Sequence, residues 1–315
     1  MPKSVVIRLG TRTSPLALAQ AASVAEALRH RDVEVDIVPM KTEGDRLLGA
    51  CLADVGGKGL FVREIEEALA AGTIDVAVHS LKDLPADQPP GLELAAFPAR
   101  EDPRDVLVTR TGSGFDELPL GAVLGTSSLR RRALALALRP DLIIEPLRGN
   151  VETRLRKLAE GACDAMMLAA AGLARLGLAS AQACPLAPEV FVPAVGQGIL
   201  GVEVRRDDRT TRRLVDSLDH PATRVCALAE RAYLRRLGAS CTTPMAAHAV
   251  LVPLGATARL TMSAVVASED GRRILRADAA GAPADAERLG RGLAESLLDR
   301  GAASVTALNP ERWPA

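Results

Sequence analysis

The sequence predicts an α/β protein of two similar lobes joined by a double crossover, followed by a smaller C-terminal α+β domain with an antiparallel sheet. Three observations carry this expectation. Through the first two thirds, short apolar runs rich in β-branched residues alternate with helical patterns, the rhythm of parallel βαβ units. Phrases of the first half recur in the second: a strand ending Leu-Gly-Thr stands at 9–11 and at 124–126, and AAGTIDVAVHS (70–80) returns as AEGACDAMMLA (159–169). Beyond SLDHPAT (217–223) the pattern changes to helix, hairpin and helix.

Taken in order, Val5–Leu9 reads as a strand, and Ser14 with Pro15 as the N-cap and first turn of a helix to about Arg29. Val33–Val38 is a second strand. Leu60–Ala71 is an amphipathic helix closed by Gly72, and Ile74–Val78 is a buried strand that empties into the loop HSLKDLP. The recurrence pairs Gly72 with Gly161 and Asp75 with Asp164. Its two offsets, 115 and 89, differ, so a duplication has gained or lost residues between them. PAREDPRD (98–105) and VPAVGQGILG (192–201) read as crossings between lobes, which would leave a cleft between them. The expected domains are 1–98 with 199–216, then 104–192, then 221–315. In the last, a helix carrying Val225, Leu228, Ala229, Ala232 and Leu234 leads to GASC. A hairpin then turns at Glu269, Asp270 and Gly271, before a helix from Asp285 to Asp299.

Composition narrows the function. The 315 residues carry 39 basic and 39 acidic side chains, so nothing argues for a nucleic acid or an anionic membrane as partner. Six aromatic residues (Phe61, Phe97, Phe115, Phe191, Tyr233, Trp313) are too few for base-stacking platforms. Five cysteines without a CxxC pair fit neither a disulfide framework nor a zinc site, and no metal constellation is expected. The amino terminus has too short an apolar stretch for a signal peptide, so the expected setting is the cytoplasm. Lysine is scarce: only Lys3, Lys41, Lys58, Lys82 and Lys157 interrupt a strong preference for arginine.

GTSSLRRR (125–132) sets Thr126, Ser127 and Ser128 at a helix start and three arginines in its first turns. Helix N-termini are already positive, so cations there are unfavourable unless an anion sits among them. Two readings stand: a cradle for carboxylate or phosphate, or an exposed helix face. LRGNVETRLRK adds Arg148, Arg154 and an expected N-cap, Asn150, and GTRTSPLA adds Arg12 and Ser14 at a third strand-to-helix turn. VGGKGLF (55–61) lacks both the first glycine and the Ser or Thr of a phosphate loop, which excludes an NTPase. Lys58 is then either a cleft ammonium or a solvated turn residue. Asp83, beside Lys82 at a strand's carboxyl end, is either a ligand-facing carboxylate or a turn residue. Cys241 follows Gly238, Ala239 and Ser240 on an uncrowded loop, where it is reactive or inert. His79 and His248 stand isolated.

Together these segments resemble one family, the porphobilinogen deaminases or hydroxymethylbilane synthases. GTRTSPLAL, KTEGD, GGKGLFVREIEEAL, DVAVHSLKDLP, EDPRD, GTSSLRR, RPDL, LRGNVETRL, AAGLARLGL, PAVGQG, AERAYLRRL and the cysteine loop occur in order from residue 10 to 244. The resemblance implies two periplasmic-binding-protein-like lobes and a third domain carrying a dipyrromethane cofactor on a cysteine thioether. It implies stepwise head-to-tail condensation of four porphobilinogen molecules with loss of ammonia, then hydrolysis to release hydroxymethylbilane.

By that resemblance Cys241 holds the cofactor and Asp83 is the catalytic carboxylate, able to stabilise positive charge on a pyrrole nitrogen and move protons. Each ring brings two carboxylates, which arginine forks hold bidentately. Lys82, Asp83, Thr126, Ser128, Arg130, Arg131, Arg148 and Arg154 are implied for the cofactor, and Arg12, Ser14, Arg148, Arg154, Arg175 and Gln197 for the growing oligopyrrole. Lys58 and Phe61 belong to a loop that could cover the cleft, and Arg132 has no implied role. The family suggests a monomer. Ala239 and Ser240 stand where the family usually has two glycines, Thr243 where valine or isoleucine is common, and Cys163 where an aromatic residue is frequent. The rival readings are a non-catalytic two-lobed anion-binding protein, which predicts neither Cys241 nor the third domain, and a family member whose cysteine loop no longer carries cofactor.

Overall fold

The computed structural model describes residues 6–46, 62–178, 182–239, 243–255 and 257–308. Among them, the strands in chain order are β1 (Val6–Arg12), β2 (Glu34–Met40), β3 (Val76–Ser80), β4 (Leu92–Ala96), β5 (Asp105–Thr109), β6 (Val123–Gly125), β7 (Ile143–Glu145), β8 (Ala165–Ala169), β9 (Ala183–Pro185), β10 (Leu200–Arg205), β11 (Met245–Leu254), β12 (Thr257–Ala267) and β13 (Ile274–Gly281). They form sheets of order β2-β1-β3-β10-β4, β7-β6-β8-β5-β9 and β11-β12-β13.

The first two sheets are built alike, three parallel strands followed by an antiparallel insertion. The register explains the two offsets of the sequence repeat. Leu9 and Gly10 pair with Val76 and Ala77, while Leu124 and Gly125 pair with Ala165 and Met166, so each pair is displaced by 115 on one strand and 89 on the other. The acids repeat their work as well. Arg8 N donates to Asp75 Oδ2 at 3.0 Å and Val123 N to Asp164 Oδ2 at 2.8 Å, each acid fastening the start of β3 or β8 to its neighbour. Gly72 and Gly161 close the preceding helices with φ of 71° and 83°, a conformation that only glycine adopts freely.

Caps set the helix starts as their spacing predicts. Ser14 Oγ accepts from Ala17 N at 3.3 Å to open helix Pro15–Arg29, Ser128 Oγ accepts from Arg131 N at 3.4 Å to open Leu129–Leu138, and Asn150 Oδ1 accepts from Thr153 N at 2.8 Å to open Val151–Ala159. The helix expected over Leu60–Ala71 is described over Arg63–Ala70. Aliphatic side chains and alanine fill the cores: Leu9, Val24, Leu28, Val76 and Val202 in the first sheet's layer, and Leu107, Leu124, Leu134 and Met167 in the second's.

The chain divides into two compact units, one of residues 1–101 and 199–224, the other of residues 102–198 and 225–315. Within the second unit, β11 to β13 pack with helix Ala286–Asp299 and with the part of helix Pro221–Leu237 from Val225 onward. The hairpin β12–β13 turns where predicted, and Gly271 there sits so close to helix Leu129–Leu138 that a Cβ would lie 2.4 Å from Ala133 O. Arg132, without an implied role, faces Glu269 of that turn at 3.9 Å. Glu230, fully buried, accepts from Gly196 N at 2.6 Å and Ala249 N at 2.8 Å, tying helix, crossing loop and β11 together.

The two C-terminal helices meet at Gly290, where a Cβ would lie 2.0 Å from Ala229 O, whereas one at Gly292 meets nothing within 4 Å. Alanine gains about 1 kcal/mol over glycine in a helix, and overpacking costs about 1–3 kcal/mol or more. Gly292→Ala is therefore expected to stabilise slightly in urea unfolding and Gly290→Ala to destabilise. Equal midpoints for the two variants would contradict the close crossing.

Candidate active site

In the first unit, β3 ends in a single 3₁₀ turn, Leu81–Asp83, because Leu81 and Leu84 are buried anchors and Leu81 N donates to Ile199 O at 3.0 Å. The turn leaves Asp83 exposed and Lys82 half-buried. Asp83 lines a pocket with Arg12, Ser14, Gln20, His79 and Ser80. Gln20 and Ser80 exchange hydrogen bonds at 2.9 and 3.1 Å, which orients both polar groups in the wall. Ser14 spends an acceptor site on its helix and keeps its hydroxyl proton to donate. Arg12 pairs with Asp45. Burial alone would raise the Asp45 carboxyl, but bonds and charge from Arg12 and bonds from Thr42 outweigh it and hold the group below the usual range.

In the second unit, the arginines of GTSSLRRR fold inward. Arg130 Nη1 and Nη2 donate to Asp105 at 2.8 and 3.0 Å, and Arg131 Nε donates to the same carboxylate at 2.8 Å. Arg130 also donates to Val192 O at 2.9 Å and Arg131 to Met167 O at 2.9 Å. The anion demanded by cations at this helix start is thus partly internal, and the exposed-face reading fails for both residues, which are buried. One carboxylate against two guanidinium groups leaves a net positive charge. Arg154, whose Nε donates to Gly149 O at 2.8 Å, feels it: burial first, then the charges of Arg131 and Arg148, push its guanidinium down to about 10. Arg131 is lowered mainly by burial, with Arg130 adding to it against the opposing pull of Asp105. Unbalanced cations gathered in this way favour an incoming carboxylate. Thr126 Oγ1 accepts from Ser128 N at 3.2 Å, so both hydroxyl residues shape the turn beneath the arginines.

Two residues expected at the ligand also hold the chain. Gln197, fully buried, donates to Pro103 O at 2.7 Å, and Arg175 donates to Gly198 O at 2.7 Å, so both brace the crossing loop. Cys241, Lys58 and Phe61 lie outside the described residues. Of the departures, Ala239 and Thr243 are buried, and Cys163 packs beside Gly125 and Leu147, its thiol pushed up by burial. Sequence reasoning missed Asp105, although an acid opening the apolar run DVLV was a usable signal. It also missed Glu203, the single charge inside the apolar run ILGVEV. His79 is not isolated, since its Nε2 lies 3.0 Å from Glu203 Oε2.

Two sheets of one topology, one with a carboxylate in a pocket and one with an arginine cluster, define a two-lobed α/β protein with an added antiparallel domain. Residues 7–213 match the family model of the porphobilinogen deaminase dipyromethane cofactor binding domain, and residues 224–299 match that of the porphobilinogen deaminase C-terminal domain. The chain is 51% identical over 302 residues to the porphobilinogen deaminase of Syntrophobacter fumaroxidans, covering 95% of this chain and 96% of that one. It is 52% identical over 306 residues to that of Syntrophotalea carbinolica, covering 96% of each. A periplasmic substrate-binding protein from Coxiella burnetii aligns with a TM-score of 0.42 at 18% identity, over 69% of this chain and 93% of that one.

The chain belongs to the porphobilinogen deaminase family. Its function is accordingly that of a transferase of tetrapyrrole biosynthesis which condenses four porphobilinogen molecules onto a dipyrromethane cofactor with loss of ammonia and releases hydroxymethylbilane. The reading as a non-catalytic anion-binding protein is not favoured. Among the described residues, no helix is long and apolar enough to cross a membrane, and no group of His, Cys, Asp and Glu could hold a metal ion.

Proposed function

We propose that Asp83 is the catalytic carboxylate of this reaction, that Cys241 carries the dipyrromethane as a thioether, and that Arg12, Ser14 and Lys82 of the first unit and Thr126, Ser128, Arg130, Arg131, Arg148, Arg154, Arg175 and Gln197 of the second are binding residues for the cofactor and the oligopyrrole. The observation that carries this reading is the gathering of Arg131, Arg148 and Arg154 in the second unit, where burial first and then the charges of Arg131 and Arg148 hold Arg154 down at about 10. Such a donor set fits a group bearing several carboxylates. The cofactor, when bound, supplies a free pyrrole α-carbon as nucleophile. Asp83 then stabilises charge at a pyrrole N–H and accepts the proton lost on rearomatisation. Arg131, Arg148 and Arg154 bind acetate and propionate side chains and orient the rings, with Arg130 positioned through Asp105. The three domains are 1–98 with 199–216, 104–192, and 221–315, and the enzyme works as a monomer in the cytoplasm without nucleic-acid or membrane partners.

Intact mass of the purified chain tests the cofactor assignment. The expected result is a covalent excess equal to one dipyrromethane on the wild type and none on Cys241→Ala. An unmodified wild-type chain, or an excess that survives in Cys241→Ala, would remove Cys241 from this role.

A further inference from the structure

Behind the pocket wall lies a set of ionisable side chains that none of these roles uses. His79 lines the pocket, and its Nε2 stands 3.0 Å from Glu203 Oε2, with the two side chains 3% and 0% exposed. Register explains the meeting. Antiparallel β10 sets Gly201 opposite His79 and Glu203 opposite Ala77, so imidazole and carboxylate lie diagonally on one face of the sheet. Helix Arg63–Ala70 covers that face: its Ile65 and Leu69 cluster with Ala77, and its Glu66 is buried in the same layer. Glu66 Oε1 and Glu203 Oε1 make no hydrogen bond among the described residues.

A second carboxylate buried in the layer that holds the Glu203–His79 pair cannot ionise without a large desolvation and repulsion cost. Burial first, then the charge of Glu203, push the Glu66 carboxyl up to about 7 against the lowering pull of His79. The other charged groups of the packed elements are engaged elsewhere. Arg205 of β10 donates to Leu69 O, Ile74 O, Asp75 and Asp208; Arg8 and Arg12 of β1 pair with Asp75 and Asp45. On the helix itself, Glu64 accepts from Glu43 N, Arg63 lies 3.8 Å from Glu43, and Glu67 is exposed.

We propose that His79, Glu203 and Glu66 are positioning residues of the condensation, a buried polar cluster between helix and sheet that holds the end of β3 and the turn bearing Asp83. Ionising Glu66 adds a buried negative charge to a layer in which the other charged groups of the described packed elements are engaged elsewhere. The layer between helix and sheet must then loosen, and Ser80 to Asp83 move with it. The inference rests on Asp83 being the reacting carboxylate.

The test is the pH dependence of kcat and KM for porphobilinogen, measured on the intact holoenzyme as wild type, Glu66→Gln, Glu203→Gln and Asp83→Asn. Above about pH 7 the wild-type kcat is expected to fall about tenfold per pH unit, as for one essential protonated group, with KM unchanged. Glu66→Gln, a neutral isostere, is expected to lose that limb. Glu203→Gln, which strips His79 of its carboxylate, is expected to lower kcat at every pH. Superimposable profiles for wild type and Glu66→Gln overturn the proposal, and Glu66→Gln decides alone if Glu203→Gln does not fold. Retained turnover in Asp83→Asn overturns the site reading itself and this proposal with it. Stability follows the same sign: because the folded carboxyl titrates above its unfolded value, its contribution is full at acid pH and is lost as pH rises through about 7. Wild type, but not Glu66→Gln, should therefore lose urea midpoint over that window.

Discussion

Asp83→Asn is expected to lower turnover by about 10²- to 10⁴-fold, the range associated with a positioned proton-transfer group, while fold and covalent primer stay as in the wild type. The expectation of an intact fold comes from the turn itself. Leu81 and Leu84 anchor it from below, with exposures of 2% and 4%, whereas the Asp83 carboxylate projects outward and makes no hydrogen bond among the described residues. A group without structural partners costs little stability when replaced, so a kinetic loss reads out chemistry. Asparagine keeps the shape and the hydrogen-bonding reach but can neither neutralise a cationic pyrrole nor take up its proton. The substitution should therefore act on kcat more than on KM. Single-turnover and steady-state ammonia release on mass-verified holoenzyme would check this, and turnover within about threefold of wild type would take Asp83 out of the reaction.

What the sequence makes legible and what it hides divide along a physical line. Ser14, Ser128 and Asn150 each cap a helix whose first turn lies within three residues, and Gly72 closes one within two, so the information is local and readable. The offsets of 115 and 89 were also readable, because a repeated strand register repeats its residues. Asp105 and Glu203 showed only as single charges beside or inside apolar runs, and their pairing was not readable. Their partners stand 25 and 124 residues away, and both acids sit on the antiparallel strand inserted into each lobe's sheet, so which side chains they meet depends on a strand order no local pattern encodes. β11 was missed for a related reason. MAAHAVLVPL is rich in alanine and carries a proline, and its strand conformation comes from ten paired positions with β12 rather than from propensity.

The arginine cluster shows how charge balance conceals a site. Thirty-nine acids match thirty-nine bases over the whole chain, yet in the second unit a single carboxylate, Asp105, serves both Arg130 and Arg131. The residual charge is what Arg154 and Arg148 add to, and it is the feature that suits a ligand gaining two carboxylates with every ring.

Asp105→Asn is accordingly expected to be the most damaging single change to stability. The wild-type carboxylate is 0% exposed and receives bonds from Arg130 at 2.8 and 3.0 Å and from Arg131 at 2.8 Å. Asparagine offers one acceptor oxygen and turns an NH₂ donor toward guanidinium donors, so at least one N–H of Arg130 loses its partner, and one of Arg131 as well where the NH₂ takes the Oδ1 side, while both charges remain buried. Removing one member of a buried ion pair costs about 3–5 kcal/mol, and here one removal strands two cations that also repel each other. The loss should appear as a lower urea midpoint with an unchanged slope, since the surface exposed on unfolding is the same. Arg130→Met in the Asp105→Asn background should recover part of it, because one of the stranded charges is gone. Coupling between the two sites in that double-mutant cycle should then be large, as for contacts within one network. A stability loss below about 1 kcal/mol would mean that Arg130 and Arg131 do not depend on Asp105. The strand-to-helix turn would then need another source for the negative charge that lets three successive arginines open a helix.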